Sequence, residues 1–490
     1  MHSQTCGGHH IAAVSGNAVA APAAPECGAP TIPAAAVRLV ATAAALLLLA
    51  GAPAGAMSLK EAVERTIETN PAIEAARANR RATEYELRQA EGRRFPLVDL
   101  NAEIGPEKID KPRGLALDSN DEWRARRQAG LTVRQYIFDG FDRANDIYKQ
   151  AARVDAAALR VLSRSEALAL DAVEAFIDVG RNKDVLVIAQ RNIRRQRDIL
   201  AIVRDLERGG RATRSEGLQM QERVAAAEVA YERVRESLLE AEAKFHRVVG
   251  IRPPGLGRAT LPGKLPATRQ QAVDIGRSRD PNIAAAIADA DAAKVAFNQT
   301  ESALYPSLSV ELRGSTGADI AGTPGRDNEL AGRLLLSWNL FDGNISRNRR
   351  LEFANRWQQA LAERDEHIRT TTEQIERAIA SLQVGTTRLA ALRQRQSTAR
   401  QVVTAYEEEY KATKRTLIEL LDAESAKFNA EIDVTSAEAV RIFSAYRLLG
   451  AMGKLLEAFG LSAPSEAYAD KRSTVKHPHR FPVHLEPLKK

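Results

Sequence analysis

The sequence predicts an α+β membrane protein made of two copies of one half-domain. Three observations lead to this prediction: a long-range internal repeat, two unusually long heptad helices, and segments in which apolar and polar residues alternate. A repeat period of about 200 residues indicates a duplicated half-domain rather than a short solenoid unit. We therefore expect internal pseudo-symmetry.

The repeat is visible in matched helix signals. Asn70-Pro71 opens a helix that Phe95-Pro96 closes, and Asp280-Pro281 and Tyr305-Pro306 repeat these signals at an offset of 210 (280 minus 70). The offset then becomes 203 (341 minus 138), which aligns three further features: Phe138-Asp139-Gly140 with Phe341-Asp342-Gly343, the 213–216 turn with 416–419, and Gly250 with Gly453. The change of seven residues falls between strand segments, where a loop can absorb it.

These signals divide the chain into five parts. They are an N-terminal extension with a signal peptide (1–56), a first repeat with a short helix, two strands and a long helix pair (57–250), a Pro/Gly-rich linker (251–280), a second repeat (281–460), and a disordered basic tail (461–490).

Composition excludes some classes of function. The net charge is +7, yet Arg and Glu are interspersed along the helices and do not form basic runs, which argues against nucleic-acid binding. No Gly-x-Ser-x-Gly, His-Glu-x-x-His or phosphate-loop pattern occurs, and the histidines of the mature chain lack ligand spacing. We therefore expect no enzyme, no cofactor and no metal site.

The N-terminus reads as an export signal. Arg38 precedes the apolar run 39–50, and Ala54-Gly55-Ala56 supplies the small residues of a cleavage site. Residues before Arg38, which include Cys6, His9 and His10, are interpreted as an overlong start rather than a metal site. Both cysteines, Cys6 and Cys27, precede the cleavage site, so we expect a mature chain without cysteine and without a lipid anchor.

Two heptad stretches predict the long helices. In the first copy, one heptad position holds Ile147, Val154, Val161, Leu168 and Ala175, and the other holds Ala151, Ala158, Ser165, Ala172, Val179, Leu186, Ile193 and Leu200. The second copy has Leu361, Ile368, Ile375, Leu382 and Leu389, followed by Val403 and Tyr410. Each helix should run about 65 residues, or roughly 100 Å, and Gly209-Gly210 should end the first. These stretches alone are also typical of an ordinary coiled-coil rod.

Four segments alternate with period two and predict strands. They are centred on Val98 to Ile104, Ala129 to Val133, Leu308 to Leu312 and Leu334 to Leu340, with Tyr136, Tyr305 and Trp338 near strand ends as in an aromatic girdle. A soluble half-buried sheet gives the same alternation. However, the chain is exported without a spanning helix, and four strands cannot close a barrel. Three chains would supply twelve strands, with the long helices continuing as a helical barrel.

With these features, the chain resembles the TolC family of outer-membrane efflux and secretion channels over nearly all of its mature length. The resemblance rests on the Asn-Pro and Asp-Pro helix starts, the paired Phe-Asp-Gly turns, and the segment from Tyr410 to Glu424. It implies a homotrimer in outer-membrane lipid, with a helical barrel reaching into the periplasm. The implied partners are a periplasmic membrane-fusion adaptor and an inner-membrane ABC or proton-driven transporter.

The resemblance also implies an aperture at the helix turns. Tyr410 and Arg415 match the constricting pair, Glu419 and Asp422 an acidic ring, and Ser215 with Glu216 their partners on the neighbouring turn. Glu419 departs from the best-known member, which has Asp there. We expect Arg415 to pair with Glu216. Glu216 and Glu419 also each fit a capping box with Thr213 and Thr416, an interpretation that needs no aperture.

Two functional alternatives stay open from the residues alone. A soluble periplasmic coiled-coil adaptor also combines export, helical hairpins and strands, although it would lack the duplication. Within the channel interpretation, type I secretion of a protein and efflux of small molecules differ in the transporter, and overall resemblance favours secretion.

Overall fold

The computed structural model describes residues 56–109, 122–263, 265–322 and 324–476. The signal peptide, both cysteines, and His477, His479 and His484 lie outside these ranges. None of the described helices contains a stretch that is long and apolar enough to cross a lipid bilayer.

The elements follow one another in two matching series. The first is α1 (Leu59–Thr69), α2 (Pro71–Gly92), β1 (Leu97–Lys108), β2 (Trp123–Phe138), α3 (Asp142–Arg208) and α4 (Arg214–Val249); the second is α5 (Arg269–Arg279), α6 (Pro281–Gln299), β3 (Ser307–Ala318), β4 (Arg326–Ser337), α7 (Ile345–Lys411) and α8 (Leu417–Ala451). The starts of the first three matched pairs differ by 210 residues, and the starts of the last three, from β2 and β4 onward, differ by 203. The predicted duplication is therefore present in the fold. Short helices α9 (Leu455–Phe459) and α10 (Lys471–Thr474) follow.

The predicted helix starts are formed by side-chain caps. Asn70 accepts a hydrogen bond from Ala72 N at the start of α2, Asp280 accepts one from Asn282 N at the start of α6, and proline follows each of them. The long helices α3 and α7 each contain 67 residues, which is about 100 Å. Their predicted type and length are confirmed.

The four strands form one antiparallel sheet in the order β1-β2-β3-β4. Apolar and polar side chains alternate along each strand, and the strand pairing, for example of Val98 with Val133 and of Leu308 with Leu336, brings the apolar ones to one face of the sheet. That face carries Val98, Leu100, Leu131, Val133, Leu312, Leu334 and Leu336. Many of these side chains are more than half exposed, among them Leu100 and Leu334. Within the described residues β1 and β4 each pair on one edge only.

The main core lies where both repeats meet. Leu59, Phe176, Phe245, Val273, Ile375 and Leu448 come from six different helices and are all buried there. In the helical part, α3 packs against both α4 and α8, and α7 packs against α8. Of the 67 residues of α7, the buried ones are Thr371, Ile375, Ala378, Leu389, Val403 and Tyr410. Most of the other side chains of that long helix are at least partly exposed.

Two boundaries differ from the prediction. Residues 269–279 were assigned to the linker, but they form α5, which Thr268 caps and which buries Ala272 and Val273. A Cβ atom at Gly276 would collide with Ile375, so this helix packs closely on α7. The linker prediction is wrong there because five Arg and Gln residues hide the short apolar stripe. The first repeat likewise begins with two short helices, not one.

The disordered tail predicted from 461 is wrong for residues 461–476. Glu466 accepts hydrogen bonds from Arg77 and Arg81 on α2, and Arg472 pairs with the buried Asp155 on α3 at 2.8 Å. Asp155 also accepts from the backbone N–H groups of Lys471 and Arg472 at 2.8 and 3.1 Å. The charged side chains that suggested disorder, Glu466 and Arg472, instead form these ion pairs with α2 and α3.

Candidate functional site

The two turns at the far ends of the long helices have the same backbone conformation. Gly210 has a φ of 71° and Thr413 a φ of 60°, and Arg211 N and Lys414 N donate to Leu206 O and Glu409 O at 2.8 and 2.9 Å. These bonds are typical of helix C-termini that end in a left-handed residue. Gly209 caps α3 as predicted, whereas the second turn places a β-branched threonine where glycine is favoured.

An apolar cluster holds the two turns side by side. Buried residues from α3, α4, α7 and α8 form this cluster: Ile199, Leu200, Val203, Leu206, Met220, Tyr410, Leu417, Leu420 and Leu421. The turns of the two repeats therefore form one continuous helical tip in each chain.

Both predicted capping boxes are present. Thr213 N donates to Glu216 Oε2 at 2.7 Å, and Thr416 N donates to Glu419 Oε2 at 3.1 Å, while each threonine hydroxyl accepts from the glutamate N–H in return. Hydrogen bonds from Thr416 and then from Arg415 lower the pKa of Glu419 to about 2. Glu419 therefore keeps its negative charge while it caps α8. The capping role is thus compatible with a place in an acidic ring.

Arg415 bonds within its own turn. Its guanidinium contacts Glu409 at 2.8 Å and Glu419 at 2.9 Å, and it lies 4.1 Å from the centre of the Tyr406 ring. The expected pairing of Arg415 with Glu216 is wrong within one chain. Two carboxylates closer in sequence satisfy the guanidinium first.

Tyr410 belongs to the apolar cluster. Its side chain is buried, and its hydroxyl has no hydrogen-bond partner among the described residues. Burial, followed by the negative charge of Glu216, raises the pKa of Tyr410 to about 12. The structure thus places the tyrosine of one turn near the glutamate of the other.

Asp422 and Ser215 are both exposed. Asp422 makes no ion pair with any residue that the structure describes, whereas the Ser215 hydroxyl lies 2.8 Å from that of Thr213. Because Asp422 follows Glu419 by three positions on α8, the two carboxylates share a helical face.

One ionic network near the tip was missed by sequence reasoning. Arg195 on α3 contacts Glu407 on α7 and Glu424 on α8, each at 2.5 Å, and Lys427 contacts Glu424 at 3.1 Å. Burial opposes the shift, but hydrogen bonds from Arg195 and Lys411 lower the pKa of Glu407. Glu424 is only 2% exposed. The one indication in the sequence that Glu424 is buried was its position directly after Ala423, on the buried face of α8.

Arg195 therefore joins the hairpin of the first repeat to that of the second.

Among the residues described, no group of three or more His, Cys, Asp or Glu side chains is arranged to hold a metal ion.

Comparisons with known proteins agree with this architecture. A profile of the family described as outer membrane efflux protein matches residues 62–250 and 273–454, which are the two repeats. The outer membrane efflux protein BepC of Brucella suis biovar 1 is 24% identical over 409 residues, covering 83% of this chain and 88% of that protein. The alkaline protease secretion protein AprF of Pseudomonas aeruginosa is 25% identical over 342 residues, covering 67% and 70%.

A solved structure has the same fold. The outer membrane protein VceC from Vibrio cholerae superposes with a TM-score of 0.71 at 16% identity, covering 83% of this chain and 97% of that one.

Proposed function

Because the chain belongs to the outer membrane efflux protein family, it is an export channel of the outer membrane, and we propose that three copies build it. The observation that carries the proposal is the four-stranded sheet with an exposed apolar face and two half-paired edges. Open edges are not tolerated in hydrocarbon, whereas three such sheets form a closed ring of twelve strands. The long helices extend into the periplasm, and the alternative of a soluble adaptor is wrong.

The internal duplication predicts how the copies join. Within one chain β2 pairs with β3, and Val133 lies opposite Leu312. The pseudo-equivalent pair between two copies is β4 with β1, so Leu336 (133 plus 203) should face Ala102 (312 minus 210). Both residues lie on the apolar face, as the pairings of Leu336 with Leu308 and of Ala102 with Ala129 require.

We further propose that the helical tips are the aperture. Threefold symmetry would place three copies each of Glu419 and Asp422 around one axis, with Tyr410, Arg415, Ser215 and Glu216 behind them. Six carboxylates at one constriction attract cations and repel anions. The proposal is supported by the exposure of Asp422 and by the retained charge of Glu419.

The acidic ring gives a first prediction. Replacing Asp422 with Asn, alone and together with Glu419→Ala, should reduce cation selectivity and weaken block by divalent cations, by about fivefold for each carboxylate type removed. Single-channel recordings with added Mg²⁺ measure both effects. Asp198→Asn, an exposed α3 residue, is the charge-matched control; unchanged block in the double variant would reject the ring.

Arg415 gives a second prediction. In Arg415→Ala, Glu409 and Glu419 lose their shared cation, so the α7–α8 turn loosens and leakage through the closed channel rises. Arg415→Lys should restore part of the closure because it keeps the charge but loses the two-pronged contact. Leakage of both variants equal to that of the unchanged protein would reduce Arg415 to a surface charge.

We propose that the channel catalyses no reaction and receives substrate from an inner-membrane transporter through a periplasmic adaptor that docks at the tips. On overall resemblance we favour type I secretion, and likeness to the protease secretion protein AprF supports it, whereas likeness to the efflux protein BepC supports efflux. A deletion strain separates these uses. Loss of a secreted protein from the medium identifies secretion, and increased sensitivity to toxic compounds with an unchanged secretome identifies efflux.

The oligomeric mass of the protein extracted from outer membranes tests the channel itself. A trimer whose electrophoretic mobility changes on heating is expected, since closed β-barrels resist unfolding in detergent until heated. A monomer or dimer in the soluble periplasmic fraction would reject the proposal.

A further inference from the structure

The segment that joins β4 to α7 exposes large apolar side chains. These are Trp338, Leu340 and Phe341, together with Ile345 at the start of α7, and in the single chain they are 56%, 78%, 81% and 69% exposed. Two exposed arginines, Arg347 and Arg349, follow in the first turns of α7. Exposed aromatic and basic side chains side by side are typical of a surface at the boundary between hydrocarbon and lipid headgroups.

Within the described ranges, the fold provides these two arginines with no anionic partner, although the guanidinium of Arg349 lies 5.9 Å from the centre of the Phe353 ring. Neither Arg347 nor Arg349 has a carboxylate within ion-pair distance among the described residues, whereas Arg350 beside them binds Glu301 at 2.8 Å. The N-terminus of a helix also carries partial positive charge, which disfavours cations there. An anion outside the chain would pair with both guanidinium groups and would offset the unfavourable charge of the helix N-terminus.

The first repeat provides an internal comparison. There, Ala144 and Asp146 occupy the positions of Arg347 and Arg349, and Asp146 is buried and bound by Arg93 at 2.8 Å. The window 138–150 has three Asp against Arg143 and Lys149, a net charge of −1; the window 341–353 has three Arg against Asp342 and Glu352, a net charge of +1. The second repeat alone therefore places unneutralised positive charge at this level.

The sheet fixes the depth of this segment in the membrane. Strands of 12 residues, tilted as in a barrel, span about 30 Å, which matches the hydrocarbon core. Trp338 directly follows β4, and its indole N–H donates to Leu304 O at 3.3 Å, which anchors the ring at the helical end of the sheet. The two arginines lie within the first two turns of α7, about 3 and 6 Å along its axis from Ile345. They therefore lie at the level of the headgroups on the periplasmic side.

We propose that Arg347 and Arg349, together with Trp338 and Phe341, bind the phosphate of anionic phospholipids in the periplasmic leaflet. The arginines supply charge and planar donors for phosphate oxygens, and the aromatic rings contact the acyl chains beside it. Three copies would hold lipid around the whole periplasmic rim. The inference rests on the proposed function, which places the sheet in the outer membrane, and it assigns anionic phospholipids to the periplasmic rim of the barrel.

Native mass spectrometry of the full-length trimer tests the proposal. Phosphatidylglycerol and phosphatidylcholine are titrated separately onto the delipidated protein, with inorganic phosphate as a competitor. The variants are R347E/R349E, the milder R347Q/R349Q, and R388E as a control. Arg388 is an exposed residue of the same helix, about 60 Å further along it, without an ion pair among the described residues.

The unchanged protein should retain phosphatidylglycerol in preference to phosphatidylcholine. The glutamine variant should lose about fivefold in phosphatidylglycerol affinity for each arginine, since one basic residue near a membrane surface contributes about that factor. The control should lose nothing, and millimolar phosphate should not displace the lipid. Equal retention of both lipids, or an unchanged glutamine variant, would overturn the proposal.

Two other outcomes would also overturn it, each in a distinct way. Displacement by phosphate alone would mean a free-anion site, and loss of the trimer in both arginine variants at constant lipid would mean that these side chains bind an acidic group of the adjacent copy. Failure of the unchanged protein to form trimers would instead count against the channel, so the two proposals fail separately.

Discussion

Arg195→Ala is expected to open the closed channel more than any other single substitution at the tip. Arg195 is the cation that α3 contributes to both Glu407 on α7 and Glu424 on α8. Without it, the buried Glu424 keeps only Lys427 on its own helix. Breaking a buried pair by removing one partner costs about 3 kcal/mol, at the lower end of the known range because Lys427 remains.

The consequence for function follows from where the contacts lie. Part of that energy holds the two hairpins together, and each 1.4 kcal/mol lost from the closed state raises the ratio of open to closed channels tenfold. Conductance of reconstituted channels and uptake of large antibiotics into cells should both rise, and thermal stability should fall.

The matched control is Arg197→Ala. Arg197 pairs with Glu228, but both side chains are about half exposed and both belong to the α3–α4 hairpin. Such surface pairs contribute about 0–1 kcal/mol, so this variant should behave like the unchanged protein. Equal leakage from the two variants would show that the Arg195 network does not hold the tip closed.

Stability should fall as pH rises from about 4.5 to 7 because of Glu166. This α3 residue accepts hydrogen bonds from Leu455 N and Leu456 N at 3.0 and 3.4 Å, and so caps α9, which has no cap of its own. Burial raises the pKa of Glu166 to about 7, and the negative charges of Asp280 and Glu457 add to the rise. Arg377 and Arg447 line the same cavity of about 420 Å³.

The sign follows from the two proton affinities. The folded state holds the Glu166 proton up to about pH 7, whereas the unfolded chain releases it near 4.5. Between these pH values the folded protein therefore binds more protons than the unfolded chain. The contribution of Glu166 to the free energy of unfolding is complete below pH 4.5 and falls by about 3 kcal/mol as the pH rises through 7. Thermal unfolding in detergent from pH 4.5 to 8 measures this decline.

Glu166→Gln should remove this part of the pH dependence, because glutamine stays neutral throughout. Its absolute stability is not the readout, since one acceptor oxygen is lost. Glu240→Gln, an exposed residue of α4, is the control and should keep the slope of the unchanged protein. A Glu166→Gln slope equal to that of the control would mean that Glu166 does not titrate in this range.

Features encoded in local sequence were predictable. The heptads specified α3 and α7, alternation specified the strands, and Asn70-Pro71, Asp280-Pro281 and the Thr-x-x-Glu pairs specified helix starts, because each depends on residues within one or two turns. The exceptions were determined by distant residues. Helix α5 depends on the close approach of Gly276 to Ile375, and the segment 461–476 depends on Asp155 some 300 positions earlier.

The candidate site divides in the same way. Glu216 and Glu419 were placed correctly as caps, which is a local property. The partner of Arg415 within one chain was predicted wrongly, and Arg195 was missed, because choosing among many Arg and Glu residues on four helices requires the relative rotation of those helices. The positions of Tyr410, Asp422 and Ser215 around an aperture remain a prediction.

A disulfide between two copies tests whether neighbouring chains join their sheets edge to edge in one barrel. With Cys6 and Cys27 replaced by serine the chain has no other cysteine, and Ala102→Cys with Leu336→Cys would place one thiol on each edge of the sheet. Paired residues of adjacent antiparallel strands lie about 4.5–5.5 Å apart at Cα, within disulfide range. Val98→Cys with Leu336→Cys is the control, displaced about 13 Å along the same face. We expect mild oxidation of outer membranes to convert the first variant to a covalent trimer and to leave the second monomeric on denaturing gels. No cross-link in the first variant, a covalent dimer, or equal cross-linking of both variants would mean that the sheets do not join in this way.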